Sequence, residues 1–328
     1  VCFGPNQPDV LERINGDVRN LGTTGGRVDC DQRKMLTYLR PFPSEDPHTN
    51  SHQNCQHNIV NAMFRRHYKV GLPKPTEEGL KLLDEAFNWL KRESRKVGLF
   101  PGALTKWTPE EVVQTRSAAK RATYEKAYLI LEEQPLISRD YIVDCFVKFE
   151  KSPVNDKAPR LVQHRPPRYC AALAQYLAPV EHQLYHLVWH DTRVFGKSLN
   201  QYQTAEEIAA VESGTTKYFM LDHSAFDSHC CQELLQYEHR YYLWLYKNDP
   251  ELAAMLEAQL VNKVRSRDHH LYLVSDGGRM SGDFNTGLGN SIINCLILYA
   301  FGLTQRLSRN PKFRFCVNGD DCWGTVPA

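Results

Sequence analysis

The chain has 328 residues, 42% hydrophobic and 24% charged, the make-up of a folded protein and not of a disordered or fibrous one. Its 40 Lys and Arg against 38 Asp and Glu leave a formal charge of +2, so no overall basic field points to nucleic acid and any such surface must be local. Ten cysteines at irregular spacings, with Cys230 and Cys231 adjacent, make no disulfide framework and imply reduced thiols in a cytosolic compartment.

No signal segment follows Val1, and no apolar run reaches membrane-spanning length. The stretch 292–303, broken by Asn294, reads as a buried core helix. The first seventy residues are rich in Gly, Pro, Asn and His and carry no clear pattern. Cys30, His48, His52, Cys55 and His57 match no standard zinc spacing and read as polar loop. A helix is expected from Thr76, with Glu77 and Glu78 in its first turn and Leu83, Phe87 and Leu90 on one face. Thr108, Pro109 and Glu111 open a second helix through a capping box, predicted to run past Arg116, Lys120 and Arg121.

Regularity breaks over residues 146–169, where prolines mix with Lys and Arg. A helix is expected over 176–189, and Thr204 with Glu207 opens a short one closed by Gly214. Residues 217–221 read as a buried strand ending at Asp222, followed by a long helix bearing Leu234, Tyr237, Tyr241 and Leu245. Two strands near Lys263 and Leu271, a helix from about Thr286 and a strand over 313–317 complete the pattern. Strands and helices do not alternate regularly, which favours α+β.

Three carboxylates stand at strand ends: Asp222, Asp320 and Asp321. The last two follow a turn centred either on Asn318-Gly319 or on Gly319-Asp320. Adjacent acids at a strand tip repel unless a cation binds, and Mg²⁺ suits a site of few carboxylates completed by phosphate and water. Alone, the pair reads as a solvated turn. Facing the strand-end Asp222, with Asp227 five residues on, it matches what two-metal phosphoryl or nucleotidyl transfer requires.

Ser281, Gly282, Thr286 and Asn290 lie in a glycine-rich approach to a helix, with Thr286 and Asn290 on one face. Their hydroxyl and amide groups suit a sugar; the plainer alternative is a capped helix start. Lys148, Lys151, Lys157, Arg160, Arg165 and Arg168 form a basic strip suited to a triphosphate, although charged loops are commonly just solvated.

In this order and spacing the four pieces resemble viral RNA-dependent RNA polymerases: Asp222-x4-Asp227 as motif A, Ser281-Gly282-x3-Thr286-x3-Asn290 as motif B, Gly319-Asp320-Asp321 as motif C and the basic stretch as motif F. The finer resemblance is to the tombusvirus-like group, including carmoviruses and luteoviruses. Its motifs are matched by Phe146-Val147-Lys148-Phe149-Glu150-Lys151, by the Pro159 to Tyr169 segment and by Ser281 to Asn290. His223, Ala225 and Ser228 depart from that group's usual motif A but remove no metal ligand.

The resemblance implies a right-hand polymerase. Residues 1–170 would be fingers, including the motif F loop at 146–169. Residues 171–328 would be an antiparallel palm with finger insertions, holding motifs A (221–229), B (281–290) and C (317–323). The thumb is expected to be missing from this chain. Asp222, Asp320 and Asp321 would hold Mg²⁺, with Mn²⁺ able to substitute. Lys148, Arg160 and Arg168 would contact the incoming triphosphate. Asp227 and Asn290 would read the ribose 2′-hydroxyl, with Ser281 and Thr286 positioning sugar and template. The implied partners are template and nascent RNA, ribonucleoside triphosphates and other replication proteins, in a complex on host cytoplasmic membranes. Two competing readings are a reverse transcriptase, which would need a bulky gate in place of Asp227, and a non-catalytic RNA-binding scaffold, against which the intact acids argue.

Overall fold

The computed structural model describes residues 18–23, 34–37, 48–52, 54–67, 74–152, 158–266 and 271–328. Helix α1 (Gln56–Ala62) is followed by α2 (Glu77–Ser94), whose N-cap Thr76 accepts the Gly79 N–H at 3.1 Å and whose Leu83, Phe87 and Leu90 are buried as expected. The Thr108 capping box also forms, but the helix it opens, α3 (Pro109–Gln114), is short. The chain turns extended at Ser117, and α4 (Ala118–Glu133) starts afresh, so the single helix expected past Arg116 is two. Thr115 bonds back to the Val112 carbonyl at 2.7 Å, the local competition by which hydroxyl residues interrupt helices.

Helix α5 (Pro167–Leu184) stops short of Trp189, which lies instead in a small hairpin, β7 (Val188–Trp189) and β8 (Thr192–Arg193). Helix α6 (Gln201–Ala210) starts from an Asn200–Gln203 capping box and not at Thr204. After α7 (Phe226–His229) and α8 (Gln232–Leu245) comes α9 (Pro250–Glu257). The sequence reading missed α9, although Asp249 caps it and Pro250 opens it. The last helix is α10 (Thr286–Thr304).

Three sheets hold most strands. One has the order β1 (Val18–Thr23), β11 (Leu271–Asp276), β10 (Val261–Ser266), β4 (Val143–Val147), β6 (Leu161–His164), antiparallel except for β10 beside β4. A second orders β2 (Lys34–Thr37), β3 (His48–Ser51) and β5 (Lys151–Ser152). The segment 146–169, expected to be irregular, thus contains β6, β5 and the end of β4; its prolines conceal strands too short to show a period. The third sheet is fully antiparallel: β12 (Arg314–Asn318), β13 (Asp321–Pro327) and β9 (Thr216–Asp222).

Strand β9 corrects another expectation. It is an edge strand, not a buried one, with Met220 84% and Leu221 44% exposed. A continuous apolar run suggests burial on both faces; here only Phe219 packs on the main core. That core joins Phe313, Phe315 and Val317 at the third sheet and Leu288, Ile292, Leu296 and Tyr299 of α10 in one buried cluster, which extends to α2, α5, α8 and α9. Tyr299 stacks on Trp89 of α2 at 4.2 Å, and the absent Cβ of Gly302 makes room for Phe313. Helix α10 is long and apolar enough by composition to cross a membrane, but it is mostly buried among protein, as a core helix. The architecture is mixed α and β with mainly antiparallel sheets, in keeping with the α+β reading.

The eight described cysteines are all free thiols. Of the N-terminal Cys and His residues, Cys55 caps α1 by accepting the Asn58 N–H at 3.4 Å, while Cys30 lies outside the described residues.

Candidate active site

Asn318 pairs with Asp321 across the β12–β13 hairpin, so Gly319 and Asp320 form the two-residue turn, the second of the two registers left open by the sequence. Gly319 has φ +71°, the left-handed conformation that glycine adopts freely at the first central position. On the other side of β13, Asp321 stands directly opposite Asp222. Three acids thus meet at one end of the sheet. Like charges directly across a strand pair repel. Burial, then Asp320 and Asp222, push the Asp321 carboxyl above its ordinary range, and His223 opposes them. Among the described residues no Lys or Arg pairs with any of the three acids.

Helix α10 fixes the turn from beneath. Ser291 Oγ accepts the Gly319 N–H at 2.8 Å, and Asn294 Nδ2 lies 3.1 Å from the Gly319 carbonyl and 3.3 Å from that of Asp320. Asn294 Oδ1 faces His223 Nε2 at 3.2 Å, tying the residue after Asp222 to the same amide. Sequence reasoning used Asn294 only as a break in an apolar run. The signal was present: Thr286, Asn290 and Asn294 recur every four residues along an otherwise apolar helix.

Ala225, at φ +55°, turns the chain out of β9 into α7, which carries Asp227. Asn290 Nδ2 donates to Asp227 Oδ1 at 2.9 Å, joining the stretches read as motifs A and B. Burial raises the Asp227 carboxyl above its usual range; the Asn290 hydrogen bond and the charges of Arg279 and Arg160 oppose it, and Asp320 adds to it. Ser281 and Thr286 spend their hydroxyls on backbone. Ser281 Oγ lies 3.2 Å from both the Leu161 carbonyl and the Gln163 N–H, and Thr286 Oγ1 donates to Met280 O at 2.7 Å. A Cβ on Gly282 would stand 2.7 Å from the Gln163 carbonyl, so glycine there lets motif B close on β6.

The basic strip divides. Lys148 and Arg160 lie side by side, with the Lys148 N–H on the Arg160 carbonyl at 2.7 Å, and their exposed side chains share Glu150 at 3.4 and 3.7 Å. Arg66, unread in the sequence, joins them by donating to Ala158 O from two nitrogens at 2.8 and 2.6 Å. Arg165 is buried and paired with Asp283, and it also donates to Asn262 Oδ1 at 2.6 Å. Arg168 is taken up by Asp140 at 2.9 Å and by the Gln134 and Pro135 carbonyls, and no described interaction brings it toward the acids. Lys157 lies outside the described residues.

A model of the viral RNA-dependent RNA polymerase family matches residues 22–323. The chain belongs to that family. It is 33% identical over 290 residues to the RNA-directed RNA polymerase of tobacco necrosis virus (strain A), covering 84% of this chain and 38% of that protein. It is 33% identical over 346 residues to that of tomato bushy stunt virus (strain Cherry), covering 96% and 40%, and 32% identical over 289 residues to that of carnation mottle virus, covering 84% and 36%. These relatives bear out the tombusvirus-like resemblance read from the motifs. The chain spans about two fifths of the length of the curated relatives it matches.

In this member of the family the donor set fits a hard cation. Three carboxylates repel one another at one sheet end, and among the described residues no Lys or Arg pairs with them. Among the described residues no three His, Cys, Asp or Glu side chains stand close enough to enclose an ion. Any ion here would therefore take few ligands from the protein and the rest from phosphate and water, which is how Mg²⁺ is commonly held.

Proposed function

We propose that the chain carries the catalytic centre of template-directed RNA synthesis, joining ribonucleoside monophosphate units from triphosphates to an RNA 3′-hydroxyl with release of pyrophosphate, for viral genome replication and transcription. The observation that carries this is the meeting of Asp222, Asp320 and Asp321 at one sheet end, beside an Asp227 held by Asn290. The right-hand arrangement, with these elements as palm and the Lys148–Arg160 strands as part of the fingers, belongs to the same reading.

Asp222 and Asp320 would hold Mg²⁺, with Asp321 a weaker ligand, and Mn²⁺ would substitute. A metal held there would supply activation of the attacking hydroxyl and stabilisation of charge on the phosphorus oxygens. Lys148 and Arg160, half exposed and sharing one carboxylate, keep donors free for the triphosphate. Asp227 accepts a hydrogen bond from the ribose 2′-hydroxyl, the group that marks RNA chemistry. Its other carboxylate oxygen takes no hydrogen bond from the described residues. A DNA-making enzyme needs bulk at that place, so this pair favours ribonucleotides. Ser281 and Thr286 act through the loop they brace. RNA template, nascent strand and further replication proteins are the partners of this reading, in a complex on host cytoplasmic membranes.

The test is primer extension on an RNA template by a polymerase of its relatives' length carrying this chain. Incorporation that depends on a divalent cation and on Asp320 supports the reading; incorporation indifferent to both overturns it.

A further inference from the structure

Asn290 lies between two groups of opposite hydrogen-bonding character. Arg279 Nε donates to its Oδ1 at 2.9 Å, and its Nδ2 donates to Asp227 Oδ1 at 2.9 Å. A guanidinium only donates and a carboxylate only accepts, so the amide has a single satisfied orientation. Turned over, it would set N–H against N–H and oxygen against oxygen.

Arg279 is itself held at three points. Its backbone N–H donates to the Asp227 carbonyl at 2.8 Å, Nε reaches Asn290, and a terminal nitrogen pairs with Glu238 on α8. Both members of that ion pair are buried, with side-chain exposures of 1% and 0%. Glu238 in turn accepts from Tyr242 Oη at 2.9 Å and Asn285 Nδ2 at 2.6 Å. Gly289 supplies the space, because a Cβ there would collide with the Glu238 carboxylate. Glu238 and Arg279 belong to none of the motif positions read as functional.

From this arrangement we infer that Arg279, locked by Glu238, is a positioning residue for ribose selection. It sets the face that Asn290 turns to Asp227, and so aims the carboxylate at the sugar. A buried ion pair is a poor device for stability alone, since apolar side chains of similar volume often serve as well or better. Here the pair fixes the Arg279 fork, which explains why its Nε is spent on the motif B amide. The inference rests on the sugar-reading role of Asp227 and adds the residues that orient it.

The experiment compares kcat/KM for matched ribo- and 2′-deoxyribonucleotides in the same full-length polymerase. Arg279→Lys keeps the charge beside Glu238 but cannot make both contacts, because a lysine ammonium lacks the planar fork. Ribose preference should fall by about tenfold, mainly through the ribonucleotide, as for a lost sugar contact. In an Asp227→Ala background the same change should produce no further fall. Equal slowing of both nucleotides by Arg279→Lys, with Asp227→Ala still lowering the preference, overturns the inference and leaves the Asp227 reading standing. If Asp227→Ala leaves the preference intact, both fail together. Should Arg279→Lys not fold, Tyr242→Phe takes its place, since it deletes only one hydroxyl from Glu238. A reduced preference in that variant supports the inference, and an unchanged one overturns it.

Discussion

Ser291 Oγ accepts the Gly319 N–H at 2.8 Å, so the helix that carries motif B also holds the tip of motif C. The turn is thereby anchored through its backbone, and the Asp320 side chain is not what keeps it in place. Nearby, Asn294 faces the carbonyls of Gly319 and Asp320 and also His223, so one amide spans the strand ends that carry Asp222 and Asp320.

Asp320→Ala should therefore abolish nucleotide incorporation without unfolding the protein. The loss should be about a hundredfold or more, the scale for removing one group that stabilises developing charge. Single-nucleotide extension measures the rate, and a urea titration confirms an unchanged midpoint. Incorporation retained to within roughly tenfold of wild type is incompatible with a metal-holding role.

Arg160→Ala should raise KM for the incoming nucleotide and leave the affinity for template nearly unchanged. A lost charge-assisted contact to phosphate is worth roughly 1.5–3 kcal/mol, or about ten- to a hundredfold. Steady-state kinetics with nucleotide varied, alongside RNA binding by fluorescence anisotropy, separates the two. A fall in RNA affinity alone would move Arg160 into the template channel.

Gly289→Ala should destabilise the protein although it replaces glycine inside a helix. On an open helix surface the change would gain about 1 kcal/mol. Here the new methyl meets the buried Glu238 carboxylate, and overpacking of that kind costs about 1–3 kcal/mol. Urea unfolding of the variant reads the sign directly, and a gain in stability would show the Glu238 site to be looser than described.

His239, buried on α8 with Nε2 3.3 Å from Gln259 Oε1, gives a pH dependence. Burial pushes its imidazole down to about 4 from an ordinary 6.5; Glu238 opposes this, and Arg279 adds to it. The unfolded chain takes up the proton first on acidification. The contribution is therefore whole above pH 6.5 and is lost as pH falls toward 4. Its size is about 3 kcal/mol at most. His239→Gln should flatten the fall of the urea midpoint over that interval, and an unchanged slope would assign the acid sensitivity to other groups.

The three acids were legible because they stand at or beside strand ends with recognisable turn chemistry, and Asp227 with Asn290 because both fall in the motifs that carry the family resemblance. The cations were harder. Arg160 and Arg165 look alike along the chain, yet Arg165 is consumed by Asp283 more than a hundred positions away. Glu238 falls at helical spacing from Leu234, Tyr241 and Leu245, on the apolar face of α8, so its burial follows from the pattern, but its partner Arg279, forty-one positions on, does not. Long-range pairing decides whether a charge is free, and periodicity carries no trace of it. The exposure of β9 was hidden for the same reason, because an apolar run does not state which neighbours it will have.

That edge has a material consequence. Tyr218, Phe219, Met220 and Leu221 form a continuous apolar stretch on a seven-residue strand, and β9 ends the order of its sheet. Unpaired backbone along such a strand is a template for another copy, and natural sheets blunt it with charge or cover it. Expressed by itself, this chain should stick to itself through β9 and scatter light at concentrations where a capped sheet would stay clear. Met220→Lys, which places a charge on the exposed face two residues before Asp222, should restore a monodisperse sample; if scattering persists unchanged, association runs through another surface.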